Sequence, residues 1–282
     1  NGVILITTKQ ASTVETLKLD YSGYISTSHI SKKNDMLTAA EFAKHYPDYD
    51  YGYDTDWVDE ITRTPVSHVH NLSLQGGTRR SSYIANVNYA SRQGIMLRSN
   101  FETFRGRIEI TQRMFDNKVK IRFGLLGRSD WRESTVNGGS FRGWAYSSAT
   151  RRNPTEPVRN EDGSWYENTS KFEYENPVAL LTECDGNVKN TQLRYNAAIT
   201  YNPVKDLTIQ GSYSYNRTNM NRGYSETLEH ISAKRDGLNG WSSVGSSISI
   251  EKLLEITAQY DLNIKRNKFT ILAGYSYNEN DY

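Results

Sequence analysis

Phe104-Arg105-Gly106-Arg107-Ile108-Glu109-Ile110-Thr111 is the stretch that decides the fold. Phe104, Gly106, Ile108 and Ile110 alternate with Arg105, Arg107, Glu109 and Thr111, so an extended chain here has one apolar face and one charged face. After a short Phe115-Asp116-Asn117 turn the pattern returns, with Val119, Ile121, Phe123 and Leu125 set against Lys118, Lys120 and Arg122. A two-residue turn at Asp116-Asn117 places Ile110 opposite Phe123 and Ile108 opposite Leu125, and a slip of one residue destroys the match. Runs of this kind reach the about 9–11 residues that a tilted strand needs to cross a bilayer. Ile110 and Phe123 are therefore expected to face lipid and Thr111 the lumen of a barrel. On that lumen face Arg105, Arg107, Arg113, Lys118, Lys120 and Arg122 form a row of cations, which can hydrate the wall, hold another part of the protein or meet a solute.

Two further hairpins repeat the pattern. Leu193, Tyr195, Ala197, Ile199 and Tyr201 lead through Asn202–Asp206 into Leu207, Ile209, Gly211, Tyr213 and Tyr215, with Ile199 expected opposite Ile209 across a five-residue loop. Ile256, Ala258, Tyr260, Leu262 and Ile264 lead through Lys265–Lys268 into Phe269, Ile271, Ala273, Tyr275 and Tyr277. With the weaker runs Leu17–Thr27, Val69–Gly76 and Tyr83–Gln93 this makes nine strands. Tight turns near Gly77-Thr78, Asp116-Asn117, Pro203 and Arg266-Asn267 alternate with connections at Ser28–Val66, Gly94–Asn100, Ser129–Thr191 and Asn221–Ser246. Short turns on one side and mostly long loops on the other are the mark of outer-membrane barrels. The fold class is all-β, a transmembrane antiparallel β-barrel. In the first long connection Thr38 is placed to cap a short helix over Ala39–Lys44, with Glu41 at the capping-box position and Pro47 as the stop.

Composition is compatible with this and excludes much else. The 282 residues are 36% hydrophobic with a mean hydropathy of −0.72, and no stretch approaches the roughly 20 apolar residues of a membrane-spanning helix. Twenty Tyr, eight Phe and five Trp suit aromatic girdles, as they also suit a Tyr-rich secreted sandwich. A net charge of +2, from 34 basic and 32 acidic residues, gives no field that selects nucleic acid. The single cysteine, Cys184, excludes an internal disulfide and is read as a lone loop thiol in the third outer connection, open to a membrane-impermeant maleimide.

The remaining polar clusters give no catalytic site, cofactor or metal. Asp48, Asp50, Asp54 and Asp56 around Gly52 lack EF-hand spacing and are read as solvated or locally hydrogen-bonded carboxylates. His68 and His70 are read as strand surface. Asp59/Glu60 and Glu173/Glu175 are paired acids, but proximity in sequence says nothing of the carboxyl separation, about 5–9.5 Å across a sugar cleft, that a glycosidase needs. Trp131, Trp144, Trp165 and Trp241, with Tyr146 and Tyr166, fall in or beside the long connections. They are candidate contacts for a sugar ring or a partner protein, with loop packing as the equal alternative.

Several segments, in order, resemble one family. Asn1-Gly2-Val3-Ile4-Leu5-Ile6-Thr7-Thr8-Lys9 is similar to the strand that closes the plug domain of SusC/RagA-like TonB-linked outer-membrane transporters of Bacteroidetes-type bacteria. Thr55-Asp56-Trp57 with Asp59-Glu60-Ile61, His70–Gly77, Tyr83 and Tyr89 with Gly94-Ile95, Asn153–Pro157, Asp162-Gly163-Ser164 and Asn176–Leu181 resemble further segments of that family. The resemblance implies residues 1–10 as the end of the plug and 11–282 as the N-terminal portion of a barrel of about 22 strands. It implies further that the rest of the plug, its TonB box and the closing strands lie outside this sequence. It also implies a SusD-like lipoprotein over the outer face, energy delivered through TonB, residence in the outer membrane with its lipid, no enzyme activity, and an oligosaccharide or peptide cargo. The second reading is a secreted β-sandwich that binds or cleaves carbohydrate.

Overall fold

The computed structural model describes residues 17–133, 141–170, 175–264 and 266–282, with the side chains of 141–144 excepted. The plug-like segment at residues 1–10 lies outside the described residues. Nine strands run antiparallel in one sheet, each paired with its neighbours in sequence: β1 (Lys18–Thr27), β2 (Val66–Gly77), β3 (Ser81–Gln93), β4 (Asn100–Met114), β5 (Val119–Glu133), β6 (Cys184–Val204), β7 (Leu207–Glu226), β8 (Trp241–Ile264) and β9 (Asn267–Asp281). A single meander of nine strands is the wall of a large barrel; a sandwich needs a second sheet facing the first, which the described residues lack.

The faces divide as the alternation requires. Ile110 pairs with Phe123 and Ile108 with Leu125, around a turn in which Asp116 and Asn117 both have positive φ. Ile110 and Phe123 are more than 40% exposed, whereas Glu109 and Thr111 on the opposite face are 6% and 5% exposed. The apolar face therefore points outward and the crowded polar face lines the concave side.

Two hairpins close differently from expectation. Ile199 lies opposite Gly211, and Ile209 opposite Tyr201, because a one-residue bulge between Tyr201 and Val204 lets Val204 pair with Leu207. Pro203 sits in that bulge, where its missing N–H costs no ladder bond. Ile264 pairs with Asn267, so Asn267 and Lys268 belong to β9 and not to the turn. Both errors are of two residues, which leaves every side chain on its expected face.

The strands also outrun their apolar stretches. β6, β7 and β8 have 21, 20 and 24 residues, about twice what a crossing needs. The third connection is consequently 134–183 and the fourth 227–240, shorter than their hydrophobic pattern implied. Beyond the apolar band the ladder continues through polar residues such as Asn187, Lys189 and Asn219, since main-chain hydrogen bonds do not depend on side-chain hydropathy. Cys184 is thus the first residue of β6 and 2% exposed, its thiol donating to the Leu180 carbonyl at 3.4 Å, and is not an accessible loop thiol.

In the full-length protein, Ile110→Arg should cost about 2–4 kcal/mol, the range for a cation near the bilayer midplane. Ser212→Arg, on the lumen face beside Glu255, should be tolerated. Outer-membrane assembly yields for the two variants check the orientation.

Candidate functional site

All four outer connections leave the sheet at the same end, and they fold onto one another. The first contains α1 (Ala39–His45), a 3-10 turn at Pro47–Tyr49 and α2 (Trp57–Glu60); the third contains α3 (Phe141–Arg151) and α4 (Pro177–Thr182); the fourth contains α5 (Ile231–Arg235). Thr38 caps α1 with the expected capping box to Glu41. Asp56 caps α2 by accepting from the amides of Val58 and Asp59, and Asn176 caps α4 through Val178 and Ala179.

These pieces enclose a hydrophobic core of their own. Trp57, Val58 and Ile61 from the first connection meet Ala145, Ala149, Trp165, Val178, Ala179 and Leu181 from the third. Met96 and Leu97 of the short second connection pack against the same cluster, and the Leu97 amide donates to the Ile61 carbonyl at 2.9 Å. Glu183 joins the third connection to the fourth: one oxygen accepts from Trp165 Nε1 at 2.8 Å, the other from Thr227 Oγ1 at 2.6 Å.

Arg152 lies at the centre of this layer. Its guanidinium pairs with Glu156 at 2.9 Å, both side chains about 3% exposed or less. It donates to the carbonyls of Glu175 and Tyr166 at 3.0 and 2.8 Å and stands 5.1 Å above the ring of Trp57. One cation thus holds the 152–156 turn, the segment at Tyr166, the approach to α4 and the first connection together. Burial alone lowers its pKa from that of a free arginine, and Glu156 and Glu167 work against that shift.

The segments that carried the family resemblance become legible as parts of this construction. Thr55 donates to the carbonyls of Pro154, through its amide, and Glu156, through Oγ1; Trp57 Nε1 donates to the Asn153 carbonyl at 2.9 Å. Asp162 accepts from Ser164 amide and hydroxyl to close the Asp-Gly-Ser turn. Asp56 and Asp59 hold Lys33 Nζ at 2.7 and 2.6 Å. Desolvation opposes ionisation of Asp56, but Lys33 and the α2 amides outweigh it and set its pKa below the ordinary carboxylate value.

The aromatic candidates go to four different places. Trp165 is 6% exposed inside the core, with the Arg159 guanidinium 3.5 Å from its ring centroid. Tyr146 is half-buried against the same core, and Tyr166 makes an edge contact with Tyr51. Trp241 begins β8 on the lumen face and packs edge-on against Tyr224, whereas Trp131 lies within β5 on the outward face opposite Glu102, at the outer rim of the apolar band. Trp144 falls in α3, and its side chain is outside the described residues.

Sequence reasoning passed over a second aromatic group. Tyr46, Tyr49, Tyr51 and Tyr53 are between 38% and 56% exposed, and the backbone of the last three is pinned to Asn153 and Thr155 of the third connection. The recurrence of Tyr and Asp through Tyr46–Asp54 was the available signal. Between the first and third connections opens a cleft of ≈ 550 Å³, lined by Lys33, Asp35, Phe42, Asp56, Trp57 and Arg151. Its size and its mixture of apolar floor and charged rim suit a small polar ligand or a peptide segment.

A meander wall with outward apolar bands, a polar lumen and a folded layer of outer loops is the architecture of an outer-membrane β-barrel transporter. No family model matches the chain. It is 28% identical over 287 residues to TonB-dependent receptor P3 of Formosa agariphila, a match that covers 98% of this chain and 28% of that protein. It is 25% identical over 306 residues to TonB-dependent receptor SusC of Bacteroides thetaiotaomicron, covering 97% of this chain and 30% of that one. Among solved structures, that of the RagAB peptide transporter superposes with a TM-score of 0.79 at 18% identity, over 97% of this chain and 36% of the other. The chain is thus similar along nearly its whole length to curated TonB-dependent receptors, SusC among them, and it spans about three-tenths of their length.

Arg152→Met leaves Glu156 buried without its charge partner and should destabilise the outer layer by about 3–5 kcal/mol, while Arg152→Met/Glu156→Leu should recover most of the loss. Hydrogen exchange of the α2, α3 and α4 amides reports it, with the β4–β5 amides unchanged.

Proposed function

We propose that this chain is the first part of the barrel of a TonB-dependent importer in the outer membrane, of the kind that takes up oligosaccharides or peptides together with a SusD-like surface lipoprotein. The observation that carries this reading is the combination, in one molecule, of a bilayer-matched outward band with an outer layer that has its own core. A plain pore needs the band alone. A rigid layer at one end of the wall supplies fixed contacts, and binding residues commonly sit on loops held by a rigid scaffold. The similarity to SusC and to the RagAB peptide transporter supports the same reading.

Within it, the exposed tyrosines of Tyr46–Tyr53, the cleft beside Trp57 and the candidates Tyr146, Tyr166 and Trp241 form the surface for cargo or lipoprotein. Tyrosine offers a wide amphipathic contact with little entropy to lose, and here its backbone is already fixed. Trp165 serves that surface from below, as packing. Trp131 serves the membrane interface, where outer-membrane lipid meets an aromatic girdle.

Cells producing the full-length protein should take up oligosaccharide or peptide only while TonB is present; uptake that persists without TonB refutes the importer. Tyr49→Ala/Tyr53→Ala should weaken lipoprotein co-purification or cargo uptake by about 1–3 kcal/mol at unchanged outer-membrane abundance, the scale of interface aromatics. Wild-type values for both would assign the tyrosines to the solvated surface.

A further inference from the structure

The lumen face of β4 and β5 carries more positive charge than its surroundings balance. Arg105 lies directly opposite Arg128, and Arg113 directly opposite Lys120. Like charges in such positions repel across roughly 5 Å and destabilise the pair. The same face holds two acids on these strands: Glu109, whose Oε2 pairs with Arg107 at 2.7 Å and whose Oε1 has no hydrogen-bond donor among the described residues, and Asp130, which pairs with Arg128. Arg105, Arg113, Lys120 and Arg122 make no ion pair among the described residues, the carboxylate that acts on Lys120 being that of Glu109, already paired with Arg107. The flanking strands offer none at their level, since Arg105 faces Asn88 of β3, and Arg122 and Lys120 face Ala198 and Thr200 of β6. Arg113 Nη1 and Arg128 Nε are buried with no hydrogen-bond acceptor among the described residues.

The opposite face of these strands is the apolar band, so water screens the repulsion from the lumen side only. A wall built this way is incomplete without anions in front of it. The cations extend from Arg105/Arg128 to Arg113/Lys120, eight residues along β4, or about 26 Å at 3.3 Å per residue. Sites repeated at every level suit a ligand whose charged groups pass from one to the next, each contact weak enough to release.

We propose that the β4–β5 lumen wall is a cationic track for an oligoanionic cargo, a chain bearing carboxylate or sulfate groups along its length. This rests on the importer reading above and specifies its substrate class. The planar guanidinium groups of Arg105, Arg113 and Arg122 offer paired donors that match carboxylate and sulfate oxygens, and Lys120 adds a point charge.

The test uses the purified full-length protein and a mixture of oligogalacturonates, sulfated galactan oligomers, neutral galactan oligomers and a casein digest, with the retained species identified by mass spectrometry. Wild-type protein should retain acidic species at roughly tenfold enrichment over the input at low ionic strength, and the enrichment should shrink as salt is raised. Arg105→Gln/Arg122→Gln should lose the enrichment, retain neutral species as before and melt with the wild type. The saccharide and peptide arms show which backbone carries the anions. Retention that mirrors the charge distribution of the input overturns the proposal. So does a variant that melts earlier and retains acidic and neutral species equally poorly, which would make the cations the seat of an acidic segment of the protein itself. A wild-type protein that retains nothing counts against the importer reading and the proposal together, whereas retention of neutral species alone overturns the track and leaves the importer standing.

Discussion

Inside hydrocarbon every main-chain N–H and C=O must find its partner within the protein, and this requirement governs the molecule. The nine-strand meander meets it with one continuous ladder. Side chains then have only two directions, toward lipid or toward lumen, and the two-residue period of the sequence decides which. Ile110 and Phe123 are lipid-facing because Glu109 and Arg122 cannot be. The same rule sends the cations of β4 and β5 to the lumen, whatever the cost of placing them opposite one another.

Outside the membrane the constraint relaxes and a second kind of structure begins. The strands continue as polar ladders, and the connections between them condense around Trp57, Ile61, Trp165 and Leu181. Arg152 organises that layer because a buried cation must be fully satisfied, and its partners come from four separate segments. The wall therefore carries a rigid platform instead of free loops. Tyr49 and Tyr51 of the first connection can then be held in fixed positions, the Tyr49 carbonyl accepting from Asn153 and the Tyr51 amide donating to Thr155, residues of the third.

How much of this was legible in the sequence follows from what each pattern encodes. Alternation encodes parity, so all nine strands, and the two faces of β4 to β9, could be read from it. It does not encode register beyond parity, and the hairpins at Pro203 and Asn267 were each misjudged by two residues because a bulge and a shorter turn change the count without changing a face. Strands were expected to end too early, at Ser129 and Asn221, and to begin too late, at Thr191 and Ser246, because hydropathy stops at the membrane surface while hydrogen bonding does not. The outer layer was visible only as motifs. Thr55-Asp56-Trp57, Asn153–Pro157 and Asn176–Leu181 are far apart in sequence, and their meeting around Arg152 has no local signature. Trp165 showed the same limit: residue type alone cannot separate an exposed aromatic platform from a buried one, which depends on contacts made at long range.

The central claim is that Phe104–Thr111 crosses the bilayer with its even-numbered side chains in lipid. Nitroxide labels placed one at a time along this stretch of the full-length protein in lipid vesicles, scored for collision with oxygen and with a water-soluble nickel complex, test it most directly. Oxygen accessibility should peak at positions 104, 106, 108 and 110 and nickel accessibility should show no matching peak there, with a period of two residues. A flat profile, or nickel accessibility peaking at the even positions, would contradict the account.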